Sequence, residues 1–169
     1  MTCLQAILTI MLSLAPYHRD RGDTPAERRA LYTPVAQAIC QATTVRWERA
    51  WLIAQANHET HFARFVLEER CEDGPPGERC DWSKRLGAPT SHGPWQAKLR
   101  WCPGCRRGAT RLERFTAGAR YVLGIARLGR SKCDALEGAF AYQRGAGQCH
   151  AWWAPMRVVT MQRILWRVP

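Results

Sequence analysis

The sequence lacks several features that would place it in other protein classes. Its 169 residues contain no alternating strand pattern of any length, no internal repeat and no low-complexity tract. The apolar stretch from Leu4 to Ala15 is too short to cross a membrane, so we expect no membrane span. Hydrophobic residues make up 46% and charged residues 23%, which argues against disorder. These absences predict one folded, mainly α domain.

Acidic residues are scarce in the second part of the chain. Residues 100–169 carry 13 Lys+Arg and 3 Asp+Glu, a net charge of +10. Residues 1–99 carry 12 Lys+Arg and 11 Asp+Glu, a net charge of +1. This asymmetry suggests an anionic partner, for which nucleic acid, anionic lipid and bacterial cell wall all qualify. A solvated basic surface is the alternative. Because 22 of the 25 basic residues are Arg and none forms a dense run, we expect no specific nucleic-acid site.

Eight cysteines suggest disulfides and an oxidising compartment. They are Cys3, Cys40, Cys71, Cys80, Cys102, Cys105, Cys133 and Cys149. The turn-rich segment between Cys71 and Cys80 favours that pair. The spacing of Cys102 and Cys105 is also that of half a zinc knuckle, so zinc stays open as an alternative, although we expect neither a metal nor a cofactor.

The start of the chain has two interpretations. Residues 1–22 are either a signal peptide or a buried first helix, and residues 23–169 are the main domain. Asp23, Thr24 and Pro25 predict the start of a helix toward Gln41, which Pro34 is expected to break or kink.

Helical periodicity predicts most of the rest. A second helix, capped by Thr43 and Thr44, runs to about His58, with Trp47 and Trp51 on one face. Residues 71–110 are rich in Cys, Gly, Pro and Trp and predict a long functional loop region. Three more helices are predicted: Arg111–Leu128, Asp134–Gln143 and Met156–Trp166.

Four separated segments carry the functional signal. Their sequences are His58-Glu59-Thr60-His61-Phe62, Ser91-His92-Gly93-Pro94-Trp95-Gln96, Gly118-Ala119-Arg120-Tyr121-Val122-Leu123 and Ala139-Phe140-Ala141-Tyr142-Gln143-Arg144-Gly145. In order and spacing they resemble the lysozyme-like superfamily, in particular soluble lytic transglycosylases and goose-type lysozymes. Those proteins have Glu-Ser-x-Phe, Gly-Leu-Met-Gln, Gly-x-x-Tyr-Leu and Ala-Tyr-Asn-Ala-Gly segments. The resemblance spans about residues 44–145.

The resemblance implies a lysozyme-like fold, with several helices around a substrate cleft and a long Cys/Gly/Pro-rich loop region. It implies that Glu59 is the catalytic acid and that Thr60 replaces the family's Ser. The residues that it places along the cleft are Thr60, Gly93, Trp95, Gln96, Tyr121, Tyr142, Gln143 and Gly145. Trp95 and Trp101 could stack on sugar rings, or simply pack within the loop.

The chemistry fits a single carboxyl group at a helix end. Glycoside cleavage needs an acid that protonates the leaving oxygen. A free glutamic acid has a pKa of about 4.3, and packing against apolar side chains raises such a value. We therefore expect apolar residues of the second helix, Trp51, Leu52 and Ala56, to surround Glu59. A lysozyme also needs a second carboxylate, for which Glu72, Asp73 and Asp81 are available. A lytic transglycosylase uses one acid, and both outcomes stay open.

The expected activity is cleavage of the β-1,4 bond between N-acetylmuramic acid and N-acetylglucosamine in peptidoglycan. The expected partners are glycan strands and anionic cell-wall polymers, and the protein is expected to be a monomer. It would be secreted, periplasmic, cell-wall associated, or a phage endolysin released at lysis. The alternatives are a catalytically inactive cell-wall-binding domain, a module that binds nucleic acid or another anionic polymer, and a metalloprotease. The last needs two His four residues apart, whereas His58 and His61 are three apart.

Overall fold

The computed structural model describes residues 1–74, 82–83, 88–108, 110–133, 136–141 and 149–169, without the side chains of Glu72, Trp82, Ser83 and Arg107. The described helices are α1 (Cys3–Ser13), α2 (Pro25–Ala42), α3 (Arg46–Thr60), α4 (Arg64–Leu67), α5 (Gly104–Arg107), α6 (Arg111–Cys133), α7 (Leu136–Ala141) and α8 (Ala154–Leu165). The described strands are β1 (Trp82–Ser83), β2 (Ala88–Pro89), β3 (Ser91–His92) and β4 (Ala97–Lys98). Each strand pairs antiparallel with one neighbour, β1 with β2 and β3 with β4. The mainly α prediction is confirmed.

The first residues form a helix that belongs to the core. Ile7 and Met11 of α1 are fully buried against α2. Thr2 caps the helix through the backbone N–H of Gln5, in a capping box. A disulfide between Cys3 and Cys40, with an S–S distance of 2.04 Å, ties α1 to the end of α2.

Helix α2 begins where the sequence predicts but does not break at Pro34. Thr24 forms a capping box with Glu27, and Pro25 occupies the first turn. The helix continues to Ala42, so the predicted break is wrong. Pro34 has no N–H for the carbonyl of Ala30, but Ala30 is exposed and water can bind that oxygen.

Helix α3 occupies the centre of the molecule. Its residues Ala50 to Ala56 are all buried, and α8 packs along it. Trp51 is fully buried and stacks on Phe140 of α7, with ring centroids 5.5 Å apart. The core face that the Trp spacing predicts is therefore present.

Disulfides hold the second half of the chain. Cys102 pairs with Cys105, and Cys133 at the end of α6 pairs with Cys149 before α8. Cys71 is also disulfide-bonded, and its predicted partner Cys80 lies outside the described residues. Because Cys102 and Cys105 bond to each other, the zinc interpretation of this pair is wrong. No helix among the described residues is long and apolar enough to cross a membrane.

Candidate functional site

Glu59 lies in the last turn of α3. The helix ends after Thr60 because His61 and Phe62 adopt positive φ angles of 47° and 55°. The N–H of His61 donates to the carbonyl of Asn57 and closes the final turn. Glu59 is exposed, whereas its neighbour Thr60 is buried. The helix end thus presents the carboxylate at the surface.

Two polar side chains contact the Glu59 carboxylate. Its Oε1 accepts hydrogen bonds from Gln55 Nε2 at 2.9 Å and from Arg157 Nη1 at 2.6 Å. The same Arg157 nitrogen donates to Gln55 Oε1 at 2.8 Å. Only 29% of the Glu59 side-chain surface is accessible, against 11% for Arg157. The three residues therefore form a polar cluster at the surface.

The setting of Glu59 differs from the apolar one expected. Trp51, Leu52 and Ala56 are fully buried, whereas Glu59, about one turn beyond Ala56, is exposed at the end of the helix. The contacts of its carboxylate are an ion pair with Arg157 and a hydrogen bond with Gln55. Arg157 itself lies over the ring of Trp153, with Cζ 4.1 Å from the centroid.

His58 makes a further contact between α3 and α8. Its Nε2 lies 2.9 Å from Thr160 Oγ1. Burial, followed by the charges of Arg157 and His61, lowers the pKa of His58 to about 4. The ring is therefore neutral at neutral pH, and it adds no charge beside Glu59.

The second segment forms a tight turn between β3 and β4. Gly93 has a φ of 67°, and a Cβ there would lie 3.3 Å from Phe115 Cδ1. Gln96 also has a positive φ, 49°, and its N–H donates to the Gly93 carbonyl at 3.0 Å. Gly93 therefore meets both a conformational and a steric requirement of the turn.

Trp95 and Thr60 fasten this turn to α3. Trp95 is 2% exposed, and its Nε1 donates to the Leu52 carbonyl at 2.9 Å. Thr60 Oγ1 lies 3.0 Å from the Ala56 carbonyl and 3.4 Å from the Pro94 carbonyl. Both side chains are buried, so they position the turn beside Glu59 and offer no open face to a sugar. Trp95 could either stack on a sugar ring or pack within the loop, and the structure supports packing.

Gln96 folds back onto its own turn. Its Oε1 accepts from Ser91 Oγ at 2.7 Å, and its Nε2 donates to the Gly93 carbonyl at 3.0 Å. The side chain is partly exposed. Gln96 thus holds the turn closed, and a ligand would have to compete with these two bonds.

The third segment packs against the second. A Cβ at Gly118 would lie 3.9 Å from Trp95 Cε3, so the small residue lets α6 approach the Trp95 ring closely. Tyr121, one turn further along α6, is partly buried against the core, and burial raises its pKa.

The fourth segment is described only in part. Phe140 stacks on Trp51, whereas Tyr142, Gln143 and Gly145 lie outside the described residues. The described parts of the four segments thus converge on α3.

No second carboxylate contacts Glu59 among the described side chains. Asp73 forms an ion pair with Arg70 at 2.7 Å, while Asp81 and the Glu72 side chain lie outside the described part. Glu69, which has a φ of 63°, is bound by Arg114, with one contact of 2.8 Å. Burial alone would raise the pKa of Glu69, but Arg114 and His92 lower it overall.

The described residues contain no group of three metal-binding side chains.

Two residues that contact Glu59 have no distinguishing sequence pattern. Gln55 lies one helical turn before it, a spacing that any helix provides, and Arg157 lies 98 residues away. Comparison with protein-family models, curated proteins and solved structures gave no match.

Proposed function

We propose that this protein cleaves the glycan strands of peptidoglycan, as a lytic transglycosylase or muramidase with Glu59 as general acid. One observation carries the proposal. Glu59 presents its carboxylate at the end of the buried helix α3, beside a turn fixed to that helix by Trp95 and Thr60. A rigid frame around a single accessible carboxylate suits proton delivery to one glycosidic oxygen.

The proposed reaction begins with a protonated Glu59. The carboxyl group donates its proton to the bridging oxygen between N-acetylmuramic acid and N-acetylglucosamine. The bond from the anomeric carbon to that oxygen breaks, the bonding electrons stay with the oxygen, and positive charge develops on the sugar. Glu59, now a carboxylate, then removes a proton from the attacking hydroxyl. That hydroxyl belongs to water in a muramidase and to the same sugar in a transglycosylase.

Arg157 suits the second half of this cycle. Its guanidinium stabilises the Glu59 carboxylate that proton donation leaves behind. In the first half, the contact with Arg157 occupies Oε1 of Glu59, so it has to open before this oxygen can face the glycosidic oxygen. Peptidoglycan carries carboxylates of its own, and one of these offers Arg157 an alternative partner. Substrate binding would then release Glu59 to face the bridging oxygen.

The remaining features agree with a wall-directed enzyme. The net charge of +10 in residues 100–169 would draw the protein to anionic wall polymers, an effect that salt weakens. The disulfides indicate an oxidising environment. We therefore place the protein outside the cytoplasm, in the periplasm or at the wall, or among proteins that phages release at lysis. It would act as a monomer without a cofactor.

Glu59→Gln is the direct test. The amide keeps the shape of the side chain and its hydrogen bonds but supplies no acid, so clearing of a peptidoglycan suspension should stop. Glu27→Gln is the matched control, because Glu27 is an exposed helix-capping residue whose role an amide can also fill. Both variants should melt within a few degrees of the wild type. Retained clearing by folded Glu59→Gln would refute the proposal.

The two enzyme types differ in their products. A transglycosylase leaves anhydro ends on the released muropeptides, and a hydrolase leaves reducing ends. Mass analysis of the digest separates them directly, because the two ends differ by one water molecule.

A second candidate function is binding of an anionic polymer without cleavage, either of the wall or of nucleic acid. The Arg157–Glu59 ion pair favours it, because the only proposed acid is already bound by a guanidinium and by Gln55. Under this alternative, the wild type would bind purified peptidoglycan or DNA but release no muropeptide at any pH. Loss of binding at raised salt would be expected in both cases and does not discriminate between them.

A further inference from the structure

Helix α8 has two apolar faces. On its inner face, Ala154, Met161 and Ile164 are buried in the core. On its outer face lies a second row, which we call the outer stripe. It consists of Trp152, Met156, Val159 and Trp166, which are 88%, 66%, 44% and 72% exposed. Met156, Val159 and Trp166, spaced three and seven residues apart, lie on one side of α8 and its C-cap, and Trp152 stands two residues before the helix begins.

A helix that packs on a core normally turns polar residues outward. Here the outer stripe contains half of the eight large hydrophobic residues that are exposed in the described chain. The other four, Met1, Val45, Trp101 and Leu128, lie on other segments of the chain. Such a concentration on one helix marks an interaction surface, because a scattered exposed apolar residue is ordinary but a contiguous row is not.

The positive charge near the outer stripe indicates which kind of partner it binds. From Ala151 to the end, the sequence has three Arg and no Asp or Glu; Arg157 pairs with Glu59, which leaves the charges of Arg163 and Arg167. Arg163 is exposed and falls between Val159 and Trp166, in line with the stripe. A second copy of the chain fits poorly, because both copies would carry a net charge of +11. An apolar surface edged with negative charge fits well.

The shape of the helix favours a lipid surface over a groove in another protein. Its 12 residues span about 18 Å, and a tryptophan stands just beyond each end. Tryptophan combines an apolar ring system with one N–H donor, which suits the boundary between acyl chains and headgroups. The buried inner face and the Cys133–Cys149 disulfide before α8 fix the helix on the protein. The stripe is thus presented without any unfolding.

We propose that the outer stripe is a docking surface for membranes of anionic phospholipids. Helix α8 lies flat in the headgroup region, with Trp152, Met156, Val159 and Trp166 toward the acyl chains and Arg163 at the lipid phosphates. The docking requires no cleavage of peptidoglycan and is independent of the proposed activity.

Co-sedimentation with vesicles tests the proposal. The full chain should bind vesicles of phosphatidylcholine mixed with phosphatidylglycerol, and should bind pure phosphatidylcholine vesicles much more weakly. The double variant Trp152→Ser, Val159→Ser should bind the mixed vesicles at least about tenfold more weakly. Trp101→Ser, Leu128→Ser is the matched control, since it removes the same kinds of exposed side chain elsewhere and keeps the net charge. It should bind like the wild type.

Three outcomes would overturn the proposal. The first is no binding of the wild type to either vesicle. The second is equal weakening in the stripe variant and the control variant, which would indicate a general effect of charge and hydrophobicity. The third is a dimer in sedimentation velocity that the stripe variant loses while vesicle binding stays unchanged, which would assign the stripe to self-association. Melting temperatures of both variants check that each is folded.

Discussion

Arg157 and Glu59 are joined by a contact of 2.6 Å although they lie 98 residues apart in the sequence. The contact links the first half of α8 to the end of α3. Arg157 is fixed on its other side by the ring of Trp153 and by Gln55. Glu59 therefore has one preferred orientation in the absence of substrate, and this orientation depends on a residue of a different helix.

Arg157→Gln should lower the activity. The Arg157 side chain, held over the Trp153 ring, donates to Glu59 Oε1 at 2.6 Å and so orients the carboxyl group. Glutamine is shorter and uncharged, so it should hold Glu59 less firmly, and misplacement of a catalytic group slows the reaction. The measurement is the initial rate of peptidoglycan clearing, which should fall by about tenfold.

Arg163→Gln is the control for this experiment. It removes the same charge from the same helix, but Arg163 is exposed and its side chain has no described partner at Glu59. Its clearing rate should match that of the wild type. If Arg157→Gln and Arg163→Gln lower the rate equally, the effect comes from net charge and not from the ion pair.

Local sequence patterns were sufficient to predict most of the helices. The start of α2 is confirmed because Thr24 and Pro25 act within one turn. Helix α3 is also present, but its predicted cap is wrong, because Val45 precedes the helix in place of Thr43 or Thr44 and no side chain caps it. The end of α6 was missed, since the sequence predicts it at Leu128 and the helix reaches Cys133. The five extra residues end at Cys133, and the disulfide from Cys133 to Cys149 is a tertiary constraint.

The candidate site was predictable only in its local parts. The position of Glu59 at a helix end and the Gly93 turn depend on neighbours in sequence. The packing of Trp95 on Leu52 and the ion pair with Arg157 depend on which elements meet in space. A single sequence holds no information on that pairing, because Arg157 is one of 22 arginines with no distinguishing pattern.

His58 should make the protein less stable in acid. Its folded-state pKa of about 4 lies below the usual 6.5, so the unfolded chain binds a proton first as the pH falls. The stabilising contribution is complete above pH 6.5 and is lost as the pH falls through about 4. Because the ring is partly exposed, we expect about 1–2 kcal/mol. Urea unfolding of wild type and His58→Gln over this range measures it. A variant that loses stability with the same slope as the wild type would contradict the assignment.

Trp95→Phe should destabilise the protein and lower its activity together. Phenylalanine keeps an aromatic ring but cannot donate to the Leu52 carbonyl, so the buried hydrogen bond that ties the turn to α3 is lost, and the smaller ring leaves a gap. The expected cost is about 1–3 kcal/mol, and the turn beside Glu59 loosens. Trp101→Phe is the control, because Trp101 is 60% exposed and such changes usually stay within about 0.5 kcal/mol. Equal costs for the two variants would mean that the Leu52 contact contributes little.

The described disulfides should differ in their contributions to stability. Cys3–Cys40 closes a loop with a sequence separation of 37, whereas Cys102–Cys105 spans a separation of 3. In the loop-entropy treatment, the longer loop contributes about 4 kcal/mol and the shorter about 2 kcal/mol. Replacing each pair by two alanines and measuring chemical unfolding tests this order. If the Cys102–Cys105 variant proves the less stable of the two, that bridge acts through the folded state, by holding the segment that packs against Gly118 of α6.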